Sequence, residues 1–335
     1  MGTWLDKEEL RLSELYDRHG NDYSKIAEML TDEFGRKFTY HGTRNKIRRS
    51  SIIEYIADKK GEGIFEGLKE NDEFNSYVEA KDDIKATKKY IENKYGSEVS
   101  IAVINDLHIP KLNYDVLEKF LLTNQNCDVL VIAGDYVDYK SISTYGNVRE
   151  VSVEKEYKIG FEVMKRLSNM FKDVVVINGN HESRLVRYFS SKIVSALSGY
   201  INNKHKPLEE ITRFFENVHY INHWFCHLYD VVFAHPSRYS KIALRTARNV
   251  VDDRLEKGHE SEFGKFSTVV CGHSHRLGRT EFKQKIAIEN GCFENKDVGY
   301  ANKDAKGKNW VYGGSRIDIK NGKTEWNNID LQRFD

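Results

Sequence analysis

Five apolar, β-branched runs in this 335-residue chain each stop abruptly at side chains that can bind a metal ion or carry a proton. Ile101–Ile104 leads into Asp106 and His108, Val129–Ala133 into Asp135 and Asp138, and Val174–Ile177 into Asn180, His181 and Glu182. Val231–Ala234 leads into His235, and Thr268–Cys271 into His273 and His275. A run of four or five apolar residues without alternation is the pattern of a strand covered on both faces, as in a parallel sheet. Polar residues at the carboxyl ends of such strands gather along one edge of the sheet. The five runs therefore demand a fold that buries several strands and brings their ends together.

The intervening segments fit that demand. Asp115–Thr123 and Glu154–Phe171 are amphipathic and predict helices between the first three strands, which argues for an α/β sheet with crossover helices. Lys241 to Lys257 reads as a further helix, and Arg184 to Phe215 as a helical insertion over the strand ends. From Arg279 onward short alternating runs appear: Thr280–Phe282, Lys285–Glu289, Trp310–Tyr312, Arg316–Ile319 and Thr324–Trp326. With Asn321-Gly322 as a two-residue hairpin signal, they predict a second, largely antiparallel sheet.

Residues 1–55 read as a separate small all-α, trihelical domain. Asp6 and Glu9 offer a capping box for a first helix with Leu12, Leu15 and Tyr16 on its apolar face, and Gly20 stops it. Asp22 caps a second, with Ile26, Ala27, Leu30 and Phe34 at helical spacing before Gly35. Thr39 opens a third, which carries Arg44, Lys46, Arg48 and Arg49. Three short helices with a basic last one resemble the helix-turn-helix class, in particular Myb-like and homeodomain-like modules. The resemblance implies DNA binding through those four cations, since a helix in the major groove needs positive charge for phosphates and a guanidinium for base edges. Residues 56–98 read as a helical linker and 99–335 as the second domain.

The strand ends supply Asp106, His108, Asp135, Asn180, His235, His273 and His275: two carboxylates, one amide oxygen and four imidazoles. Such a mixed nitrogen and oxygen set suits divalent first-row ions rather than calcium, and seven ligands suit two ions if one carboxylate bridges. The ordered motifs D-x-H, G-D-x-x-D, G-N-H-E, a lone His after a strand and G-H-x-H resemble the calcineurin-like metallophosphoesterases over Val99 to Phe293. The resemblance implies a four-layered αββα sandwich with a binuclear site at the strand ends. It places Asp106, His108 and His275 on one ion, Asn180, His235 and His273 on the other, and Asp135 between them. It gives His181 the place beside the phosphate and leaving group, and Asp138 the orienting of His181. Arg184, three residues beyond His181, has the fork geometry to grip phosphate oxygens. Two departures stand out: Tyr139-Lys140 follows the second motif where the protein-phosphatase branch has Arg-Gly, and Pro236 follows His235 where Gly is usual.

The reaction expected from the resemblance is phosphate-ester hydrolysis by hydroxide attack at a binuclear centre. The ions expected are Mn first, with Fe, Zn, Co or Ni as alternatives. With the basic helix, the substrate expected is DNA or another nucleic acid. A phosphomonoesterase or protein phosphatase with an N-terminal docking domain is the alternative, and a non-catalytic DNA-binding regulator the alternative of another class. The net charge of +1 means that no global field recruits nucleic acid, so any basic surface is local. Four widely spaced cysteines without C-x-x-C, an N-terminus lacking an apolar leader and the absence of a long apolar run lead us to expect a cytoplasmic protein of reduced thiols with no membrane partner. A homodimer is expected as well.

Overall fold

The structure, a computed structural model, describes residues 6–19, 22–39, 43, 72–142, 151–185, 208–296 and 309–334. It divides into two compact units, Met1–Asn75 and Ser76–Asp335.

In the first unit the helices Asp6–His19 and Tyr23–Phe34 pack through Leu12, Leu15, Ile26, Ala27, Leu30 and Phe38. Asp22 caps the second helix by accepting from the Lys25 N–H at 3.2 Å, and Gly35 ends it in the left-handed conformation, as the sequence predicts. Asp6 is itself helical rather than a cap. Glu8, almost fully buried, is paired with Arg36. The predicted third helix, with Arg44, Lys46, Arg48 and Arg49, lies outside the described residues.

In the second unit β1 (Val99–Ile104), β2 (Val129–Ala133), β3 (Asp173–Ile177) and β4 (Val218–Ile221) run parallel. The next strands are β5 (Phe225–Leu228), β6 (Val231–Ala234), β7 (Thr268–Cys271), β8 (Leu277–Phe282), β9 (Lys285–Asn290), β10 (Gly313–Ile319) and β11 (Ile329–Arg333). They complete a six-stranded sheet of order β11-β10-β1-β2-β3-β4 and a five-stranded sheet of order β5-β6-β7-β9-β8. Alternate residues of each parallel strand face opposite layers. Ala102, Ile104, Leu130, Ile132, Val174 and Val176 pack on the helices Tyr114–Thr123 and Val153–Met170. Ile101, Val103, Val129, Val131, Val175 and Ile177 share a core with Val231, Phe233, Val269 and Ile288 of the second sheet. The helix Arg245–Glu256 joins that core through Ala247, Val250 and Val251. This is the mixed α/β sandwich of two sheets and flanking helices.

Two expectations about the C-terminal third are corrected. The late strands do not form a separate antiparallel sheet: β10 and β11 join the first sheet beside β1, while β8 and β9 join the second beside β7. Short alternating runs specify strands but not which edge they complete. Thr324–Trp326 is not a strand; Trp326–Asn328 is a 3-10 turn, and the last strand begins at Ile329. Asn321 and Gly322 do make the expected turn, both with positive φ. β4 and β5 were not anticipated, because Val218–Ile221 and Phe225–Leu228 carry histidine, tyrosine and cysteine within four-residue runs. Of the expected insertion Arg184 to Phe215, residues 186–207 lie outside the described residues.

From Ser76 on, the helix Asp72–Tyr95 belongs to this unit, and Ile84 and Ile91 enter the core. Lys94 and Tyr95 bind Asp173, the first residue of β3, so this helix closes the end of the sheet opposite the strand termini that carry the ligands.

Candidate metal centre

Each expected ligand stands in the turn that follows a strand, and the backbone there is bent hard. Asp106, His108, Asp135, His273 and His275 all have φ between 48° and 74°. Left-handed conformations cost a side-chain-bearing residue about 1 kcal/mol or more, so such clustering is a mark of a functional site. Glycines make room. A Cβ on Gly134 would lie 2.5 Å from the His235 ring, and one on Gly179 would lie 2.1 Å from Oδ1 of Asp135.

The turns converge. Asp106, His108 and His275 present ligand atoms within 4.8 Å of one another, as do Asp135, His235 and His273. Nε2 of His275 lies 3.1 Å from Oδ1 of Asp106 and 3.3 Å from Nε2 of His108. Nε2 of His235 lies 3.1 Å from Oδ2 of Asp135 and 3.2 Å from Oδ1 of Asn180. Oδ2 of Asp135 is also 3.7 Å from Nε2 of His108, which puts this carboxylate between the two groups. His181 meets His108 and Asp135 in a third such group, with Nε2 3.8 Å from Oδ2 of Asp135.

The residues present fit divalent ions. Oδ1 of Asp106 is buried and accepts no hydrogen bond from any described residue, although three imidazole nitrogens face it within 3.8 Å. Burial alone would raise the carboxyls of Asp106 and Asp135, but the surrounding imidazoles hold both well below the usual carboxylate range. Burial lowers the proton affinity of His235, yet Asp135 and Asp106 outweigh it and push the imidazole up to about 9. A carboxylate pair strong enough to draw a proton onto a buried imidazole is strong enough to favour a cation in the proton's place. Nδ1 of His235 is 2.8 Å from the Ala133 carbonyl, which fixes its proton there and leaves Nε2 for the ion.

Beside the ligands, Nδ1 of His181 donates to Oδ1 of Asp138 at 2.9 Å. Burial lowers the proton affinity of His181, against the pull of nearby Asp135. Arg184 donates to the Asp138 carbonyl at 2.8 Å and lies 2.6 Å from Nε2 of His181. Lys111 pairs with the other Asp138 oxygen, a contact not anticipated from sequence.

Three more residues shape the site. Glu182, named in the Gly-Asn-His-Glu motif but without a role, accepts the backbone N–H groups of Gly179 at 2.7 Å, Val137 at 3.0 Å and Asp135 at 3.2 Å. It ties the turn after β2 to the turn after β3, and its carboxyl is pushed up to about 7 by burial and by Asp135. Asn105 holds Oδ2 of Asp106 at 2.5 Å. Glu294, fully buried, brings Oε2 to 3.6 Å from Nε2 of His108. No motif includes it, and its spacing from β9 carries no ligand signal.

Among the described residues no helix is long and apolar enough to cross a membrane. The four cysteines are free and buried.

A family model described as calcineurin-like phosphoesterase matches residues 99–277. Solved structures similar to this chain include Vps29 of Chaetomium thermophilum, 12% identical over 70% of this chain and 97% of that one, with a TM-score of 0.37. An archaeal phosphodiesterase is 13% identical over 70% and 99%, with a TM-score of 0.34. A hypothetical protein of Pyrococcus horikoshii OT3 is 9% identical over 71% and 89%, with a TM-score of 0.40. No curated protein matches the chain.

Proposed function

The chain belongs to the calcineurin-like phosphoesterase family, hydrolases of phosphoric esters that use divalent metals, and on that premise we propose that it is a binuclear, manganese-dependent phosphodiesterase acting on nucleic acid. Asp106, His108 and His275 would hold one ion, and Asn180, His235 and His273 the other, with Asp135 available to both. Two ions held there supply Lewis acidity, drawing charge from the phosphoryl oxygens and making water nucleophilic at neutral pH.

The chain's own residues do the rest. Asp138 keeps the His181 proton on Nδ1 and turns Nε2 toward the ligand carboxylates. Arg184 sits against that same nitrogen and supplies a guanidinium to the departing oxygen or to a nonbridging phosphate oxygen. Once Arg184 engages the phosphate, Nε2 of His181 is free to take up the proton that the attacking water gives up and to pass it to the leaving oxygen, with Asp138 stabilising the imidazolium in between.

The convergence of two Asp/His groups, with Oδ2 of Asp135 3.7 Å from Nε2 of His108 between them, carries this reading. Nucleic acid as substrate is supported by the basic stretch Arg44, Lys46, Arg48 and Arg49 of a Myb-like first domain. Tyr239 supports it too: it is 41% exposed and stands edge-on to His273 at 5.3 Å, where a base can stack. Domains at 1–55 and 99–335 joined by a helical linker would tether substrate binding to cleavage. Free buried thiols favour a cytoplasmic setting.

The test is turnover by the manganese-loaded protein of a phosphomonoester, a bis-aryl phosphodiester, and single- and double-stranded DNA, with His181→Ala and Asp135→Asn alongside. Cleavage of DNA and diester that disappears in both variants is expected. Turnover of the monoester alone would overturn the nucleic-acid reading, and no turnover of any substrate would overturn the metal-centre reading with it.

A further inference from the structure

His275 points Nε2 into the centre, 3.1 Å from Oδ1 of Asp106 and 3.3 Å from Nε2 of His108. Its Nδ1 therefore faces away, buried, and makes no hydrogen bond with any described residue. A histidine that ligates a metal needs its second nitrogen held, because that bond fixes both the tautomer and the plane of the ring. Two other imidazoles of the site have such a partner: Nδ1 of His235 has the Ala133 carbonyl at 2.8 Å, and Nδ1 of His181 has Asp138 at 2.9 Å. Beside Nδ1 of His275 stands the carboxylate of Glu294, with Oε2 at 3.9 Å, about 0.7 Å beyond hydrogen-bond reach.

Glu294 is not there by chance of a mobile loop. The Phe293 N–H donates to the Asp106 carbonyl at 3.1 Å, and the Asn295 N–H to the Lys111 carbonyl at 2.7 Å. The Asn113 N–H donates back to the Phe293 carbonyl at 2.8 Å. These bonds clamp the Glu294 backbone against the turn that carries Asp106 and His108, and the side chain is fully buried. The facing side of His275 is closed by Trp310, whose ring centroid is 4.2 Å away, and the Val311 N–H holds the His275 carbonyl at 2.8 Å. The same Oε2 lies 3.6 Å from Nε2 of His108, and a hydrogen bond to His275 needs Nδ1 and Oε2 to close by about 0.7 Å.

We propose that Glu294 is a positioning residue of the metal centre: its carboxylate accepts the Nδ1–H of His275 and so presents Nε2 to the ion held with Asp106 and His108. This rests on the metal-centre reading above. It adds a carboxylate outside all five sequence motifs, one that acts through His275 rather than by touching the ion.

The test is calorimetric titration of the metal-stripped full chain with Mn²⁺, comparing wild type with Glu294→Ala, Glu294→Gln, His275→Ala and the His275→Ala/Glu294→Ala double variant. Glu294→Ala is expected to weaken one of two binding events about 10–100-fold while both sites still fill at saturation. Glu294→Gln, whose amide oxygen can accept from Nδ1, recovers most of that loss. In the His275→Ala background, Glu294→Ala has no further effect on Mn²⁺ affinity. Glu294→Met, similar in volume, gives the same answer as alanine if the cavity left by Glu294→Ala prevents folding. An equal loss with and without His275, or unchanged affinity, overturns the proposal. Loss of one ion altogether in Glu294→Ala overturns it in favour of direct ligation. Wild type that binds two ions alongside unaltered Glu294 variants removes this proposal alone; wild type that binds none removes the metal-centre reading as well.

Discussion

Oδ1 of Asp138 stands 2.9 Å from Nδ1 of His181, although the two residues leave different strands and lie 43 positions apart. The aspartate is buried, and burial would raise its carboxyl, but His108 and His181 hold it far below the ordinary range. It is therefore an acceptor that holds the Nδ1 proton and stabilises a second proton taken up on Nε2, the nitrogen that faces the leaving group.

That pair predicts a leaving-group dependence. His181→Ala is expected to lower kcat about 10²–10⁴-fold for an alkyl phosphodiester, the usual span for general acid catalysis. A p-nitrophenyl ester, whose leaving group needs little help, should lose far less. Asp138→Asn should follow the same pattern more weakly. Steady-state kinetics with esters of graded leaving-group pKa decide it; equal losses across the series would remove His181 from proton transfer.

Gly179→Ala should damage the centre although it replaces no ligand residue. The added Cβ meets the Asp135 carboxylate oxygen at 2.1 Å and the Asp135 backbone nitrogen at 2.2 Å. Neither can yield without moving Asp135. Mn²⁺ affinity measured by calorimetry is expected to fall by at least about tenfold, with far-ultraviolet circular dichroism unchanged.

Glu182→Ala would strip the acceptor from three buried N–H groups at once, those of Gly179, Asp135 and Val137. Each orphaned donor costs about 1–3 kcal/mol before relaxation or entering water reduces it. A net loss of about 2–4 kcal/mol is expected from urea denaturation. A loss below 1 kcal/mol would mean that the turns after β2 and β3 hold their shape without this brace.

Asp173 sets an acid limit at the other end of the sheet. Its buried carboxylate accepts from His219 at 2.8 Å, Lys94 at 2.7 Å and Tyr95 at 2.5 Å. Burial would raise this carboxyl, but the three hydrogen bonds lower it below the ordinary value of 3.8. A carboxyl with a depressed folded pKa stabilises the native state fully above its unfolded pKa, and that contribution fades as pH falls through the folded value. Wild type should thus exceed Asp173→Asn in stability at pH 7, with the difference shrinking below about pH 4. Denaturation curves at several pH values test this; a gap that stays constant down to pH 2 would contradict it.

Much of the centre was legible because strands of four or five apolar residues end sharply, and their last residues must gather at a sheet edge. Asp106, His108, Asp135, Asn180, His235, His273 and His275 could be named on that ground, and the order of their motifs carried the family. The two sheets were legible as well, but the allocation of strands was not. β10 pairs with β1 across more than two hundred residues, and a local run such as Arg316–Ile319 holds no record of that partner. The roles of Glu182, Lys111 and Glu294 were equally out of reach, for the same reason. A carboxylate that braces two turns, or stands behind an imidazole, is defined by what packs against it. Local sequence determined which residues are candidates for the chemistry, since strand burial and turn position are short-range properties. Only the tertiary structure decided which groups hold those residues in place, because hydrogen-bond partners and burial arise from contacts between distant parts of the chain.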